Sequence, residues 1–196
     1  MEIQNRTTSG ETSRLTIIVT AVVSVAMTLI LWAQGRIWWC KTGDAAIYIR
    51  EAWGSSHTSQ HLLDPYTFTH LLHGVAFFWI THLLFSRLTV GWRFFIATIA
   101  EAAWEILENS SFIIEKYREN TASLDYFGDS IFNSIGDLGA SAAGFWIAYK
   151  IGRWPSLLLF VITELSLLFF IRDSLLVNII MLIYPIDALK QWQMGL

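Results

Sequence analysis

The chain has 196 residues, of which 54% are hydrophobic and 15% charged, against about 25% charged in an ordinary soluble domain. A formal net charge of −3 with no basic stripe argues against a nucleic-acid partner. So little surface charge over so apolar a chain points to lipid as the solvent. The expected fold class is therefore all-α, an integral membrane helical bundle of five to six transmembrane helices plus an interfacial amphipathic helix.

Residues 1–14 are polar (Glu2, Asn5, Arg6, Glu11, Arg14) and read as a cytoplasmic N-terminal tail, with 15–196 a single multi-pass transmembrane domain. The charge-free run 15–33 meets the requirement of about 20 apolar residues for a span. A cleaved signal peptide competes for this run, and the small residues in Trp32-Ala33-Gln34-Gly35 suit it. The run is nevertheless longer than the roughly 7–15 residues of a usual signal core. Residues 34–68 form a polar outer loop with Arg36, Lys41, Asp44, Arg50, Glu51 and Asp64. Within it, 44–53 has apolar residues at helical spacing. That predicts an interfacial helix with Trp38, Trp39 and Trp53 at headgroup level. The single cysteine, Cys40, excludes an intrachain disulfide and, on this reading, any cysteine-based zinc cluster.

Further spans are expected at 69–86, 90–114, 129–149 and 154–171, while 174–184 is either a short sixth span or a re-entrant segment. Arg87 and Arg93 follow the second span and Lys150 and Arg153 the fourth, with no acid beside them. By the positive-inside rule those turns share the cytoplasmic side with the N-terminus. Alternation then puts His70, His73, Glu101, Glu105, Glu108, Asp129, Asn133 and Asp137 in the outer half of the bundle. Arg172, Asp173 and Asn178 fall there too.

Each set lies on one helical face: His70 and His73 three apart, Glu101, Glu105 and Glu108 four and three apart, Asp129, Asn133 and Asp137 four apart. Ser130, Ser134, Gly136, Gly139, Ala140 and Gly144 are small enough to let that helix pack closely. His70, His73, Glu105, Glu108 and Asp129 are candidate ligands for a divalent metal ion: zinc, magnesium or manganese. Glu101, Glu105 and Asp137 are candidate general acids and bases. Asn133 and Arg172 are candidate substrate-binding groups, Arg172 for an anion. The plainer readings are interfacial histidines, a structural hydrogen-bond network among the carboxylates, and Asp129 as a dipole-favoured helix start. Glu164, alone in its span, reads as a helix–helix contact, and His57 and His61 receive no role.

Four blocks carry a resemblance: Phe68-Thr69-His70-Leu71-Leu72-His73-Gly74; Glu101-Ala102-Ala103-Trp104-Glu105-Ile106-Leu107-Glu108-Asn109-Ser110 with Tyr117-Arg118; Tyr126-Phe127-Gly128-Asp129-Ser130 through Asn133-Ser134-Ile135-Gly136-Asp137; and Ile171-Arg172-Asp173-Ser174-Leu175 with Asn178-Ile179-Ile180-Met181-Leu182-Ile183. Together they resemble the domain-of-unknown-function family numbered 2585, over most of the chain after about residue 34. The resemblance implies a multi-pass protein of the bacterial inner membrane and no particular chemistry. A fainter likeness is to small membrane proteins of the VanZ type, which share the early His, the Glu and the spaced Asp/Asn row. The functional expectation is a metal-assisted hydrolase or transferase acting at the outer leaflet on a lipid or lipid-linked envelope substrate. Its rivals are a proton- or cation-coupled small-solute transporter and a non-catalytic assembly factor whose polar cluster is structural. The partner common to all three is the lipid bilayer.

Overall fold

The computed structural model describes residues 2–195, with side chains at Arg14 and from 16 onward. The tail side chains before Arg14, Arg6 included, lie outside the described residues. The described residues form eight helices: α1 (Glu2–Ala33), α2 (Thr67–Leu84), α3 (Val90–Glu108), α4 (Ser111–Asn120), α5 (Ile131–Ile151), α6 (Arg153–Ile171), α7 (Leu175–Ile183) and α8 (Asp187–Met194). They contain no β-sheet, only an isolated parallel bridge between Tyr48 and Leu63.

Two helical stretches are long and apolar enough to cross a membrane, Thr16–Ala33 and Arg153–Ile171. Helices α2, α3 and α5 have 18, 19 and 21 residues, and their apolar sequences are interrupted by the polar groups discussed below.

Three expectations differ from the structure, two for a local reason and one through a distant contact. The helix expected over 90–114 stops at Glu108. There the Asn109 side chain donates back to the Glu105 carbonyl (3.0 Å), and Ser110 accepts from Ile113 N (3.4 Å) to start α4. The helix expected from 129 begins instead at Ile131, because Ser130 is its cap and accepts from Asn133 N at 3.1 Å. Asp129 is therefore outside the helix. The interfacial helix expected over 44–53 does not form. Ile49 N donates to Leu63 O (3.2 Å) and Leu63 N to Ile47 O (3.0 Å), so this stretch is held extended by a distant strand-like partner. Gly43 and Gly54, with φ of 73° and 72°, punctuate it at both ends. Helix α8 was not expected at all.

The closest helix pair is α2 with α5. Gly74 of α2 faces the Ser141 carbonyl, Gly144 of α5 faces the Leu71 carbonyl, and a Cβ at either position would strike backbone. Glycine is what permits this backbone approach. Below the crossing, Val75, Phe78, Phe94, Ala97, Phe145 and Ala148 form an apolar core. A second cluster of Met27, Leu31, Ala102, Ile131 and Leu138 seats α1 against α3 and α5. The opposite end of the α2–α3–α5 trio buries Glu101, Glu105, Asn133, Ser134 and Asp137. The outer surface has the reverse polarity: Phe169, Phe170 and Ile183 are 80%, 78% and 78% exposed.

Candidate metal and acid–base site

The antiparallel run of α2, α3 and α5 brings the start of α2, the end of α3 and the start of α5 to one level. His70 and His73 come one turn apart on α2, and Glu101 and Glu105 one turn apart on α3, as i, i+3 and i, i+4 spacing requires. His70 Nδ1 lies 2.7 Å from Glu101 Oε1, and His73 Nδ1 lies 3.0 Å from Glu101 Oε2. Glu101 thus bridges both rings and is 0% exposed. His70 Nδ1 is also 3.2 Å from Glu105 Oε1, and its Nε2 is 3.9 Å from Asp137 Oδ2. The Glu105 contact has ion-pair distance but not hydrogen-bond alignment, since one ring N–H cannot point at Glu101 and Glu105 together.

Among the described residues, neither oxygen of Glu105 has a hydrogen-bond partner, and the same holds for Asp137 Oδ1 and Glu108 Oε2. Buried carboxylate oxygens without donors are costly. Two overlapping groups have ligand atoms within 4.8 Å of one another: His70, His73 and Glu101; and His70, Glu105 and Glu108. These clusters could coordinate a metal.

A cavity of about 530 Å³ opens beside them. His70, His73, Glu108, Asp129, Asn133 and Asp137 line its polar end, together with Tyr66, Tyr117 and Tyr126. Phe77, Ile80, Trp104, Leu107, Ile179 and Leu182 line the rest. Ile80, Leu107 and Ile179 are also exposed on the outside, so the apolar part of the cavity reaches the apolar surface. Thr58 and Ser59, from the segment between α1 and α2, roof the polar end.

The expected site residues do not all share one role. Asp129 lines the cavity, but its oxygens accept from Tyr126 Oη (2.9 Å) and Asn109 Nδ2 (2.9 Å), and its N–H donates to Asn109 (2.7 Å). It buckles the α4–α5 loop to the end of α3. Asn133 donates to the His61 carbonyl at 2.7 Å and so ties α5 to the roof. Glu108 accepts from Tyr117 Oη at 2.8 Å. Arg172 is not on the cavity wall; it donates to the Trp192 carbonyl (3.2 Å) and holds α8. Glu164 accepts from Leu175 N (3.0 Å) and Leu176 N (3.3 Å), capping α7.

Two aspartates noted in the sequence received no role there. Asp64 accepts from Tyr66 N (2.8 Å) and Thr67 N (3.2 Å) at the start of α2. Burial, with Asp129 nearby, pushes its carboxyl up to about 6. Asp173 accepts from Tyr66 Oη (2.9 Å) and Ser174 N (2.8 Å), and burial pushes it up to about 7. An aspartate just ahead of a helix was the available signal in both cases. The exclusion of any cysteine-containing metal cluster also fails. Cys40, His57 and His61 bring ligand atoms within 4.8 Å of one another, because a fold can complete with histidine what a single cysteine cannot supply.

A family model described as "Protein of unknown function (DUF2585)" matches residues 31–195. The chain belongs to the DUF2585 family. Its relatives in this family include a UPF0314 protein of Paracoccus denitrificans, 42% identical over 175 residues, covering 89% of this chain and 90% of the relative. A UPF0314 protein of Brucella anthropi is 41% identical over 183 residues, covering 92% and 90%. One of Sinorhizobium fredii is 42% identical over 163 residues, covering 83% and 82%. No solved structure matches. The DUF2585 match spans every residue of the site, from the roof to Asp173, and names no chemistry for it.

Proposed function

We propose that this DUF2585 protein is a multi-pass membrane enzyme, a metal-assisted hydrolase or transferase that takes a lipid or lipid-linked substrate at the outer leaflet. The observation that carries the reading is the pair of donor-free Glu105 oxygens buried behind His70, in the ligand group of His70 and Glu108, which with His73 line the polar end of an apolar cavity. A structural hydrogen-bond network would be expected to satisfy those oxygens.

The inverted polarity of the molecule supports a lipid surrounding. Carboxylates, amides and imidazoles are inside, and large apolar side chains are on the outside along α1, α6 and α7. Ionisable groups within a bilayer face the bundle interior or a wet cavity. The exposed rim at Ile80, Leu107 and Ile179 suits an acyl or isoprenoid chain entering from the side while its headgroup meets the histidines. The apolar core of Val75, Phe78, Phe94 and Phe145 lies beneath the site. It favours an enzyme over a carrier, because the carboxylates and paired histidines of the site stop above this apolar layer.

In this reading His70, His73 and Glu101 would hold a divalent cation, which would supply Lewis acidity toward a phosphoryl or acyl oxygen. Asp137, on the cavity wall across the His70 ring, takes a proton from the attacking water or hydroxyl and returns it to the leaving group, and Glu105, 3.2 Å behind His70, positions that ring. Glu108, steadied by Tyr117, completes the acidic wall.

The test is metal analysis of detergent-purified protein. Measured in the Cys40→Ser background, which removes the Cys40–His57–His61 group, the protein should carry a divalent ion that is lost on adding Glu101→Gln or His70→Ala, with helix content unchanged and with the ion retained on adding Glu164→Gln. Folded Cys40→Ser protein that binds no zinc, magnesium or manganese by calorimetry at millimolar ion refutes the metal-assisted reading.

A further inference from the structure

The segment between α1 and α2 carries a second convergence of ligand atoms, separate from the cavity groups. Cys40 Sγ lies 3.4 Å from His57 Nδ1, and that nitrogen lies 3.2 Å from His61 Nε2. Asp44 Oδ2 lies 3.9 Å from the same His57 nitrogen. Cys40 and His61 are buried, at 5% and 0% exposure.

The second nitrogen of His61 fixes its tautomer. His61 Nδ1 is 2.6 Å from the Ala46 carbonyl oxygen, which can only accept. Nδ1 therefore carries the proton, and Nε2 turns a lone pair toward His57 and Cys40. Metal-bound histidines are oriented in this way, by a backbone carbonyl on the far nitrogen. The distances agree with a tetrahedral centre. Zinc bonds of about 2.3 Å to sulfur and about 2.05 Å to nitrogen put a sulfur–nitrogen pair about 3.6 Å apart and a nitrogen–nitrogen pair about 3.3 Å apart. The corresponding separations here are 3.4 Å and 3.2 Å.

We propose that Cys40, His57 and His61 form a zinc site, its fourth position completed by water and Asp44 standing as an outer carboxylate beside His57, that clamps the roof of the cavity. A thiolate with two imidazoles selects zinc and its soft neighbours over magnesium and manganese. Binding releases the Cys40 thiol proton to solvent and leaves the sulfur as an anionic ligand, with no redox change. The clamp acts through backbone. The His61 carbonyl accepts from Asn133 on the cavity wall (2.7 Å), Gln60 Nε2 donates to the Gly128 carbonyl (2.8 Å), and Ser59 O accepts from Ser130 N (2.9 Å). Fixing His57 and His61 thus fixes the turn that covers the polar end of the cavity. The site stands whether or not the cavity groups bind a metal.

Cobalt(II) added to reduced, metal-stripped, full-length protein in detergent reads the site directly. The expected result is a thiolate-to-cobalt charge-transfer band that zinc abolishes. The band should be lost in Cys40→Ser and His61→Ala and retained in Glu101→Gln, which touches only the cavity group. Zinc should also slow alkylation of Cys40 by about ten-fold or more. Folded wild type with a titratable thiol but no band at millimolar cobalt overturns the proposal. So does a band that persists in both His57→Ala and His61→Ala, or alkylation that is indifferent to zinc.

Discussion

Gly144→Ala probes how packing far from the ligands sets the geometry of the site. An added Cβ would run into the Leu71 carbonyl oxygen, with Leu71 C at 2.9 Å and Val75 N at 3.2 Å behind it. All are main-chain atoms of α2, so no side chain can rotate away. Restoring ordinary contact requires α2 and α5 to part by about 1.5 Å. Overpacking of this kind costs about 1–3 kcal/mol. The same displacement separates the histidines of α2 from Asp137 and Asn133 of α5, and the His70–Asp137 distance is already 3.9 Å. The matched control is Gly139→Ala on the same helix, where a Cβ meets nothing within 4 Å; replacing glycine there should be neutral or stabilising by up to about 1 kcal/mol. Thermal unfolding of both variants in one detergent, followed by circular dichroism, makes the comparison. Equal melting temperatures for the two would refute the claim that backbone contact at this seam limits the fold.

Two further substitutions address groups around the cavity. Burial lifts Asp173 from 3.8 to about 7 and Asp64 from 3.8 to about 6. A carboxyl raised on folding stabilises fully below its unfolded value and loses that contribution as pH rises through the folded value. The melting temperature should therefore fall between about pH 4 and pH 7 and level off above that on this account. Asp173→Asn keeps an oxygen to accept from Ser174 N, reverses the bond from Tyr66 Oη by placing an amide donor there, and cannot ionise, so it should flatten the profile; an unchanged slope in the variant would count against Asp173 as a source. Glu164→Ala removes the acceptor for Leu175 N and Leu176 N and should lower stability by about 1–2 kcal/mol. Glu164→Gln, which keeps one acceptor, should lose less, and an Ala variant as stable as wild type would show that water satisfies those amides.

The site was most legible where a helix carried it. Glu101, Glu105 and Glu108 could be placed on one face by spacing alone, and so could His70 with His73 and Asn133 with Asp137, because helical periodicity is a local property. Asp129 extended the same row on paper but falls outside α5, since the Ser130 cap takes precedence over continued periodicity. The segment between α1 and α2 was least legible. Its order comes from bonds such as Gln60 to Gly128, 68 residues apart, and no periodic pattern encodes them. Helical spacing over 44–53 misled for the same reason: the Leu63 backbone decides that conformation. Cys40 was dismissed by counting cysteines, although its ligand partners are histidines brought near by the fold.

The short α7 bears on topology. Nine residues at about 1.5 Å rise extend roughly 13 Å, less than half of a hydrocarbon core about 30 Å thick. On the membrane reading α7 enters without crossing, and α1, α2, α3, α5 and α6 are the spanning helices. Its placement is consistent with that. Leu182 packs on Ile113, Ile114, Tyr117 and Tyr126, and Leu175, Asn178 and Ile179 line the cavity. Glu164 reaches from α6 to cap α7, and Asp173 bonds Tyr66 ahead of α2. On the membrane reading, the chain stays at the level of the site once α6 has brought it there. Lys190 of α8 bonding the Glu119 carbonyl then puts the C-terminal helix beside α4, on the face where the cavity has its polar end.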